Sequence, residues 1–257
     1  PTRAGFGHSV TRMKLARLGA GPEIFFSLQG EGKNLGAPSV FVRTSRCNLY
    51  CTWCDTPYTW NWSGTSFEHE GGLKFDAREH TVELDVSEVA TWVRRWPCRR
   101  LVLTGGEPLL QAAECAALVR ALRGLDARYA VEVETNGTLL PPPELDAVLD
   151  QYTVSAKLAN SGVERGLRLR HEALAFFAAS PKSVFKFVVA TEADVAEVNE
   201  LALAYQIEAD RVYLMPRASS PSMLEELAPS VAASCLEHGY RYSDRLHIHL
   251  FGNRPGV

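Results

Sequence analysis

From about residue 98 onward, the sequence alternates between short β-branched or apolar runs and longer stretches with the period of a helix. The short runs, predicted as strands, are 100–104, 129–135, 152–155, 184–190, 212–215 and 246–251. The predicted helices are 110–123, 144–150, 164–179, 192–205 and 223–238, and further upstream 39–43 predicts a strand and 86–96 a helix. This alternation is typical of βα units around a parallel sheet. Six or seven such units favour a partial or complete α/β barrel over a small doubly wound sheet.

The charge balance limits the classes of partner. The 27 Lys and Arg residues against 30 Asp and Glu give a net charge of −3 in 257 residues. Such a chain has no bulk basic field for nucleic acid or an anionic membrane, and no apolar run approaches the roughly 18 residues of a membrane-spanning helix. We therefore expect no nucleic-acid or membrane partner, a cytoplasmic location, and thiols that are reduced or metal-bound.

The N-terminal stretch differs in composition from the rest of the chain. Residues 1–22 carry four basic side chains, and no acid precedes Glu23. This stretch lacks the apolar region of a secretory signal, although it faintly resembles an organellar transit peptide. We expect 1–22 to be an N-terminal extension and 23–257 to be one core domain. Alternatively, Met13 begins the domain and only 1–12 form the extension.

The segment 56–81 is the one long stretch without a clear period, and it is rich in Trp, Gly, Ser and charged residues. A loop of this length in a compact domain is usually functional or disordered. Because it directly follows the densest cysteine cluster of the chain, we interpret it as a cap or an interface.

Three cysteines follow the first predicted strand of the barrel. Cys47, Cys51 and Cys54 have the spacing Cys-x3-Cys-x2-Cys, which brings three thiolates together within eight residues. Three thiolates suit a 4Fe–4S cluster, whose irons favour cysteine sulfur, and would leave one iron open to a non-protein ligand.

A zinc site is the alternative for this cluster. Structural zinc needs four ligands and normally pairs its cysteines, and here no second pair exists, although His69 or His80 could complete the set. The remaining cysteines are isolated and are interpreted as small buried hydrophobic residues: Cys98, Cys115 and Cys235. With zinc in place, the chain would be a zinc-stabilised binding module and not an enzyme.

A second motif ends the next predicted strand, where Gly105, Gly106, Glu107 and Pro108 follow Thr104. Together with the cysteine triplet, this GGEP motif resembles the radical S-adenosylmethionine (SAM) superfamily, in which SAM binds the open iron. The resemblance implies a partial (β/α)6-type TIM barrel with a long loop after the cluster-binding cysteines. Glycine lets the backbone approach a ligand closely, and a carboxylate suits the SAM ammonium group.

Further motifs narrow the resemblance to one family. They are the SLQGEG stretch within 23–32, Cys-Asp-Thr at 54–56, Glu-Thr-Asn-Gly at 134–137, Ser-Ala-Lys at 155–157, Tyr-Leu-Met-Pro at 213–216, and the tail 246–257. In this order they resemble the 7-carboxy-7-deazaguanine synthases, from about Glu23 to Val257. Activating enzymes of glycyl-radical enzymes, the alternative function, share the triplet but not the SLQGEG stretch or the tail. Two residues depart from the family pattern, Arg46 in place of glycine and Ala156 in place of proline.

The resemblance implies roles for particular residues, and none of them is expected to act as a catalytic group. Substrate binding is expected of Gln29, Glu31, Arg43, Thr104, His247 and Val257. SAM binding is expected of Gly105, Gly106, Glu107, Glu134, Asn136, Ser155, Lys157, Met215 and Pro216. Metal binding is expected of Cys47, Cys51 and Cys54 for the 4Fe–4S cluster and of Thr56 for Mg2+.

The same resemblance implies a pterin substrate, a flavodoxin or ferredoxin as electron donor, and a homodimer. Without it, the stretch 29–32 would be interpreted as a polar turn, Arg43 as a solvated strand end and His247 as a buried core histidine. The tail would then only seal the bottom of the barrel.

Overall fold

A computed structural model describes residues 11–257, and the expectations for residues 1–10 lie outside it. Its strands belong to one sheet. They are β1 Arg12–Leu18, β2 Gly21–Pro22, β3 Ile24–Leu28, β4 Pro38–Thr44, β5 Thr81–Asp85, β6 Arg100–Gly105, β7 Ala130–Thr135, β8 Gln151–Val154, β9 Ser183–Val189, β10 Val212–Pro216 and β11 Arg241–Tyr242. The helices are α1 Ala77–His80, α2 Val86–Val93, α3 Ala112–Leu125, α4 Pro143–Asp146, α5 Arg165–Arg168, α6 His171–Ala179, α7 Glu192–Ala204, α8 Pro221–His238 and α9 Leu246–Phe251.

The centre of the sheet is parallel. Strands β4, β6, β7, β8, β9 and β10 lie side by side in that order, and each neighbouring pair is parallel. The short β11 extends this array beyond β10, whereas β1 and β3 pair antiparallel with β4. Six parallel strands with helical connections form the partial barrel that the sequence predicts.

Burial explains why these segments form strands and helices. Every residue of β9 is buried, as expected for a parallel strand covered on both faces. Helix α3 buries Cys115, Leu118, Val119 and Leu122, which recur at helical spacing on the face against the sheet. Cys98, Cys115 and Cys235 all lie in this main core, as predicted for small hydrophobic residues.

The N-terminal part of the described chain differs from the expected extension of residues 1–22. Strand β1 pairs with β5 over five residue pairs, and the side chains of Met13 and Leu15 are fully buried in the main core. Residues 12–22 therefore pack with the barrel, and the core begins near Met13 instead of residue 23. The alternation of Met13 and Leu15 with basic residues has the period of a half-buried strand, a local signal that the prediction of an extension from basic composition leaves out.

The prediction of the last strand is also wrong. Residues 246–251 form the short helix α9, and the final strand is β11, at 241–242. The alternating sequence Leu-His-Ile-His-Leu has the period of a strand. Tertiary contacts override that pattern, because the backbone N–H of Leu246 donates to the carbonyl of Gly30 and the segment leaves the sheet. Two predicted helices also differ in extent, since 144–150 narrows to α4 and 164–179 divides into α5 and α6.

Among residues 11–257, none of the helices has the length and apolarity needed to cross a bilayer.

Candidate active site

Two adjoining cavities open at the carboxyl ends of the parallel strands, where βα barrels place their sites. The inner cavity has a volume of about 200 Å³ and the tail cavity, beside the C-terminal residues, about 110 Å³. Six residues line both cavities: Glu31, Arg43, Asp55, Thr56, Thr104 and Glu134. The two spaces therefore have one wall in common.

The three cysteines of the triplet all line the inner cavity. The backbone N–H of Leu49 donates to Cys47 Sγ at 3.4 Å, and Trp60 Nε1 donates to Cys54 Sγ at 3.3 Å. Burial raises the pKa of the Cys47 thiol well above its usual range and that of Cys51 to about 12. A buried thiolate thus needs a compensating cation, and irons bound to sulfur would supply one.

The donor set fits a 4Fe–4S cluster. His69, one of the two histidines that could complete a zinc site, contacts the backbone carbonyl of Cys54 at 2.8 Å. Three thiols around one cavity, with N–H donors to two of the sulfurs, match three-cysteine ligation of a cluster.

The GGEP motif packs against the cysteine loop. A Cβ on Gly106 would lie 1.9 Å from the carbonyl oxygen of Arg46, so only glycine allows this approach. Arg46 itself has a positive φ of 78°, which explains why glycine would suit that position. Gly105, the last residue of β6, and Gly106 both line the inner cavity.

The carboxylate of Glu107, which is expected at SAM, makes three hydrogen bonds within the protein. Its carboxylate is fully buried and accepts from the backbone N–H of Asn136 at 2.7 Å, from Thr135 Oγ1 at 2.8 Å and from the backbone N–H of Leu109 at 3.0 Å. Burial raises its pKa. Glu107 thus connects the ends of β6 and β7. Neither Glu107 nor Pro216, both expected at SAM, lines one of the two cavities.

The other residues expected at SAM line the inner cavity: Glu134, Asn136, Ser155, Lys157 and Met215. Lys157 Nζ donates to Ser155 Oγ at 2.9 Å. Glu134 accepts from Thr104 Oγ1 at 2.7 Å and from Gln29 Nε2 at 3.1 Å, so it connects the SAM residues with the substrate residues.

Glu31 lies among cations that sequence reasoning missed. Its carboxylate pairs with Lys186 of β9 and with Arg245 Nε at 3.3 Å. Burial alone would raise the pKa of Glu31, but Lys186 and then Arg245 hold it well below its usual range. Arg245 also pairs with Asp55 of the cysteine loop. A signal for Lys186 existed, because it is the one charged residue in the apolar run 184–190.

The buried carboxylate of Glu23 orients the side chain of Arg43. Arg43 Nε donates to Glu23 Oε1 at 2.7 Å, and the hydroxyl of Tyr58 donates to the same carboxylate at 2.9 Å. Burial would lower the pKa of Arg43, but Glu23 more than offsets it, so the guanidinium stays charged. Arg43 lines both cavities and can present its remaining N–H groups to an anion.

The C-terminal residues form one side of the tail cavity, together with Gln29, Gly30 and His247. A Cβ on Gly30 would lie 2.2 Å from the His247 ring, so a glycine is needed where the two segments meet. Burial lowers the pKa of His247, which favours the neutral ring. Val257 lines this cavity as well, as do residues 253–256.

Comparison with known proteins places this barrel in a class. The model of the radical SAM superfamily matches residues 41–217, from β4 to the end of β10. Since this is well over half of the chain, the protein belongs to the radical SAM superfamily, whose members use a 4Fe–4S cluster and SAM.

Relatives define the family within that class. The 7-carboxy-7-deazaguanine synthase of Pyrobaculum aerophilum is 42% identical over 236 residues, which cover 91% of this chain and 95% of the relative. The enzyme of the same name from Rhodopirellula baltica is 35% identical over 245 residues, which cover 91% of this chain and 87% of that enzyme. The chain belongs to the 7-carboxy-7-deazaguanine synthase family, as its motifs predict, and the glycyl-radical activase alternative is not favoured.

A solved structure agrees on the fold. The crystal structure of QueE from Escherichia coli matches with a TM-score of 0.61 at 22% identity, covering 92% of this chain and 95% of that one.

Proposed function

We propose that the chain converts 6-carboxy-5,6,7,8-tetrahydropterin to 7-carboxy-7-deazaguanine with loss of ammonia, the reaction that its family membership implies. The observation that best supports this proposal is the wall of six residues common to both cavities. It would bring a ligand in the inner cavity, beside the cysteines, next to a ligand in the tail cavity. When bound, the cluster and SAM supply the radical chemistry of the reaction.

We assign SAM to the inner cavity. Gly105 and Gly106 let it approach the backbone, Lys157 and Ser155 offer polar contacts, and Met215 adds an apolar one. Glu107, which the family resemblance assigns to SAM, also accepts a hydrogen bond from the backbone N–H of Asn136 and so positions that residue beside the ligand.

We assign the pterin to the tail cavity. Arg43 would bind the substrate carboxylate, since its position is fixed by Glu23, and neutral His247 would add a hydrogen bond. Glu31, kept ionised by Lys186 and Arg245, can accept from adjacent N–H groups of the ring, and Val257 lines the same cavity as a further substrate contact. Gln29 is held by Glu134 at the junction of the two cavities.

Thr56 is the proposed Mg2+ ligand. It lines both cavities and can offer its hydroxyl, with waters and substrate oxygens as further ligands. Asp55 is engaged by Arg245 and contributes only nearby charge. We expect Thr56→Ala to lower kcat about tenfold while leaving the cluster and SAM affinity intact. An unchanged wild-type rate after Mg2+ chelation would rule out this metal role.

We further propose a flavodoxin or ferredoxin as electron donor and a homodimeric assembly, both from the family resemblance. Light scattering on a sizing column tests the dimer, and turnover with each reduced carrier in place of dithionite tests the donor.

The test of the reaction is an anaerobic assay of cluster-loaded protein with the carboxytetrahydropterin, SAM and a reductant. We expect the deazaguanine acid and ammonia by mass spectrometry, with SAM regenerated. Stoichiometric SAM consumption that needs a protein substrate and ignores the pterin would instead support a glycyl-radical activase.

A further inference from the structure

The segment 56–81 folds back onto the cysteine loop and places one indole against a cluster ligand. Trp60 is only 5% exposed, and its Nε1–H donates to Cys54 Sγ at 3.3 Å. The contact involves neither the SAM residues nor the substrate residues assigned above.

Several contacts fix the indole in this orientation. The 3-10 turn Pro57–Thr59 precedes Trp60, and the carbonyl of Thr59 accepts from the backbone N–H of Arg46 at 2.8 Å. The ring of Phe67 meets Trp60 edge to face with centroids 6.1 Å apart, and it stacks on Tyr50 at 4.6 Å. Trp60 therefore sits in an aromatic group that ties the segment to the cysteine loop.

The three cysteine sulfurs differ in the donors that reach them. Cys47 Sγ accepts from a backbone N–H, that of Leu49, and Asn136 Nδ2 lies farther away at 3.9 Å. Within residues 11–257, no other residue donates to Cys51 Sγ, whereas Cys54 Sγ accepts from the indole at 3.3 Å, with Thr56 Oγ1 farther away at 3.8 Å. The indole bond is thus a side-chain contribution that one substitution can remove.

We propose that Trp60 tunes the 4Fe–4S cluster by raising its reduction potential through this N–H···S hydrogen bond. One-electron reduction adds a negative charge to the cluster and its sulfurs, and the positive end of the N–H dipole stabilises the reduced form more than the oxidised form. Hydrogen bonds to the sulfurs are one of the factors that set such potentials. The proposal rests on the cluster assignment and not on the identity of the substrate.

The test compares Trp60→Phe with the wild type after anaerobic cluster loading. Phenylalanine retains most of the aromatic packing and removes the N–H donor. With dithionite as the reductant and EPR as the monitor, we expect full iron and sulfide content and a more negative midpoint potential. Trp62→Phe, an equivalent change at a tryptophan that makes no hydrogen bond to a cysteine sulfur in the described chain, should leave the midpoint unchanged.

An unchanged midpoint in Trp60→Phe, or an equal shift in Trp62→Phe, would overturn the proposal. If Trp60→Phe fails to hold a cluster, the wild-type protein provides a second test. Labelled with indole-15N tryptophan and reduced, it should show 15N coupling to the cluster by pulsed EPR. The absence of that coupling would equally contradict the proposal. Neither measurement uses the pterin, so a failed turnover assay leaves this test intact.

Discussion

Arg46 adopts a left-handed backbone conformation immediately before the first cysteine of the triplet, with φ of 78°. Its carbonyl accepts from the backbone N–H of Glu107 at 2.8 Å, so the conformation is held by the neighbouring strand end. A side chain with a Cβ is strained there by about 1–2 kcal/mol, whereas glycine is not.

We expect Arg46→Gly to stabilise the fold by about 1 kcal/mol, since relief of strain exceeds the added entropy of the unfolded chain. Arg46→Ala is the matched control, because it removes the guanidinium and keeps the Cβ, and it should leave stability nearly unchanged. Anaerobic denaturant titration measures both. A destabilised Arg46→Gly would show that the guanidinium, and not the backbone, determines stability at this position.

Lys186 controls the charge of Glu31. In the folded protein the pKa of Glu31 lies below its ordinary value of 4.5. The stability that the ionised carboxylate contributes to the fold is therefore fully present above pH 4.5, and it is lost as the pH falls through the folded pKa. In Lys186→Met, burial is less compensated and this pKa rises. The acid limb of kcat/KM for the pterin should then move to higher pH, and kcat/KM should fall by about tenfold or more.

A pH profile measures the effect. Lys182→Met is the control, because Lys182 is partly exposed and pairs with Asp146 away from both cavities. An acid limb at the same pH in Lys186→Met and wild type would contradict the role assigned to Lys186.

At the level of elements, the loop after β3 and the segment around α9 form one unit. The backbone N–H of Gly32 donates to Ser243 Oγ at 2.8 Å, Leu246 N–H donates to Gly30, and Glu31 pairs with Arg245. These contacts join residues more than 200 positions apart in sequence. They hold the tail over the strand ends and not at the bottom of the barrel.

Deletion of residues 252–257 should therefore lower kcat/KM for the pterin by at least about tenfold, because it removes one side of the tail cavity. Iron content and the melting temperature should stay close to wild type, since the tail contributes little to the main core. Wild-type kinetics in the truncated protein would exclude the tail from the site, and a loss of folding would show that the tail stabilises the barrel.

The elements also show how far the sequence could be interpreted. The six central strands follow from their apolar runs, because a strand buried on both faces has little freedom in composition. Helix α9 could not be predicted from local pattern, since its sequence alternates like a strand and a contact with the distant Gly30 determines its conformation, whereas β1 has the local alternation of a strand. Among the site residues, the cysteines are recognisable by spacing, whereas Arg245 becomes meaningful only when folding brings Glu31 and Asp55 to it.

For the whole molecule, the fold should not depend on the cluster. The cysteines of the triplet belong to a small apolar group with Leu49 and Val163, separate from the main core. Removing the iron frees only the short loop from Cys47 to Cys54, so we expect the melting temperature to fall by about 5–10 °C with circular dichroism preserved.

Cysteine variants provide the matched comparison. Cys47→Ala, Cys51→Ala and Cys54→Ala should each lose the cluster and SAM cleavage, whereas Cys98→Ala, Cys115→Ala and Cys235→Ala should keep their iron. Iron retained in any of the first three would overturn the ligand assignment, and global unfolding of the iron-free protein would show that the barrel needs its cluster.

The wall between the two cavities has a thermodynamic consequence. Glu134 receives one hydrogen bond from Thr104 and another from Gln29, so a ligand that shifts this carboxylate on one side alters the contacts offered on the other. The affinities of the two ligands are then linked, and linkage is reciprocal: the factor by which the first tightens the second equals the factor by which the second tightens the first. We therefore expect two molecules that both displace the Glu134 carboxylate to bind cooperatively or antagonistically.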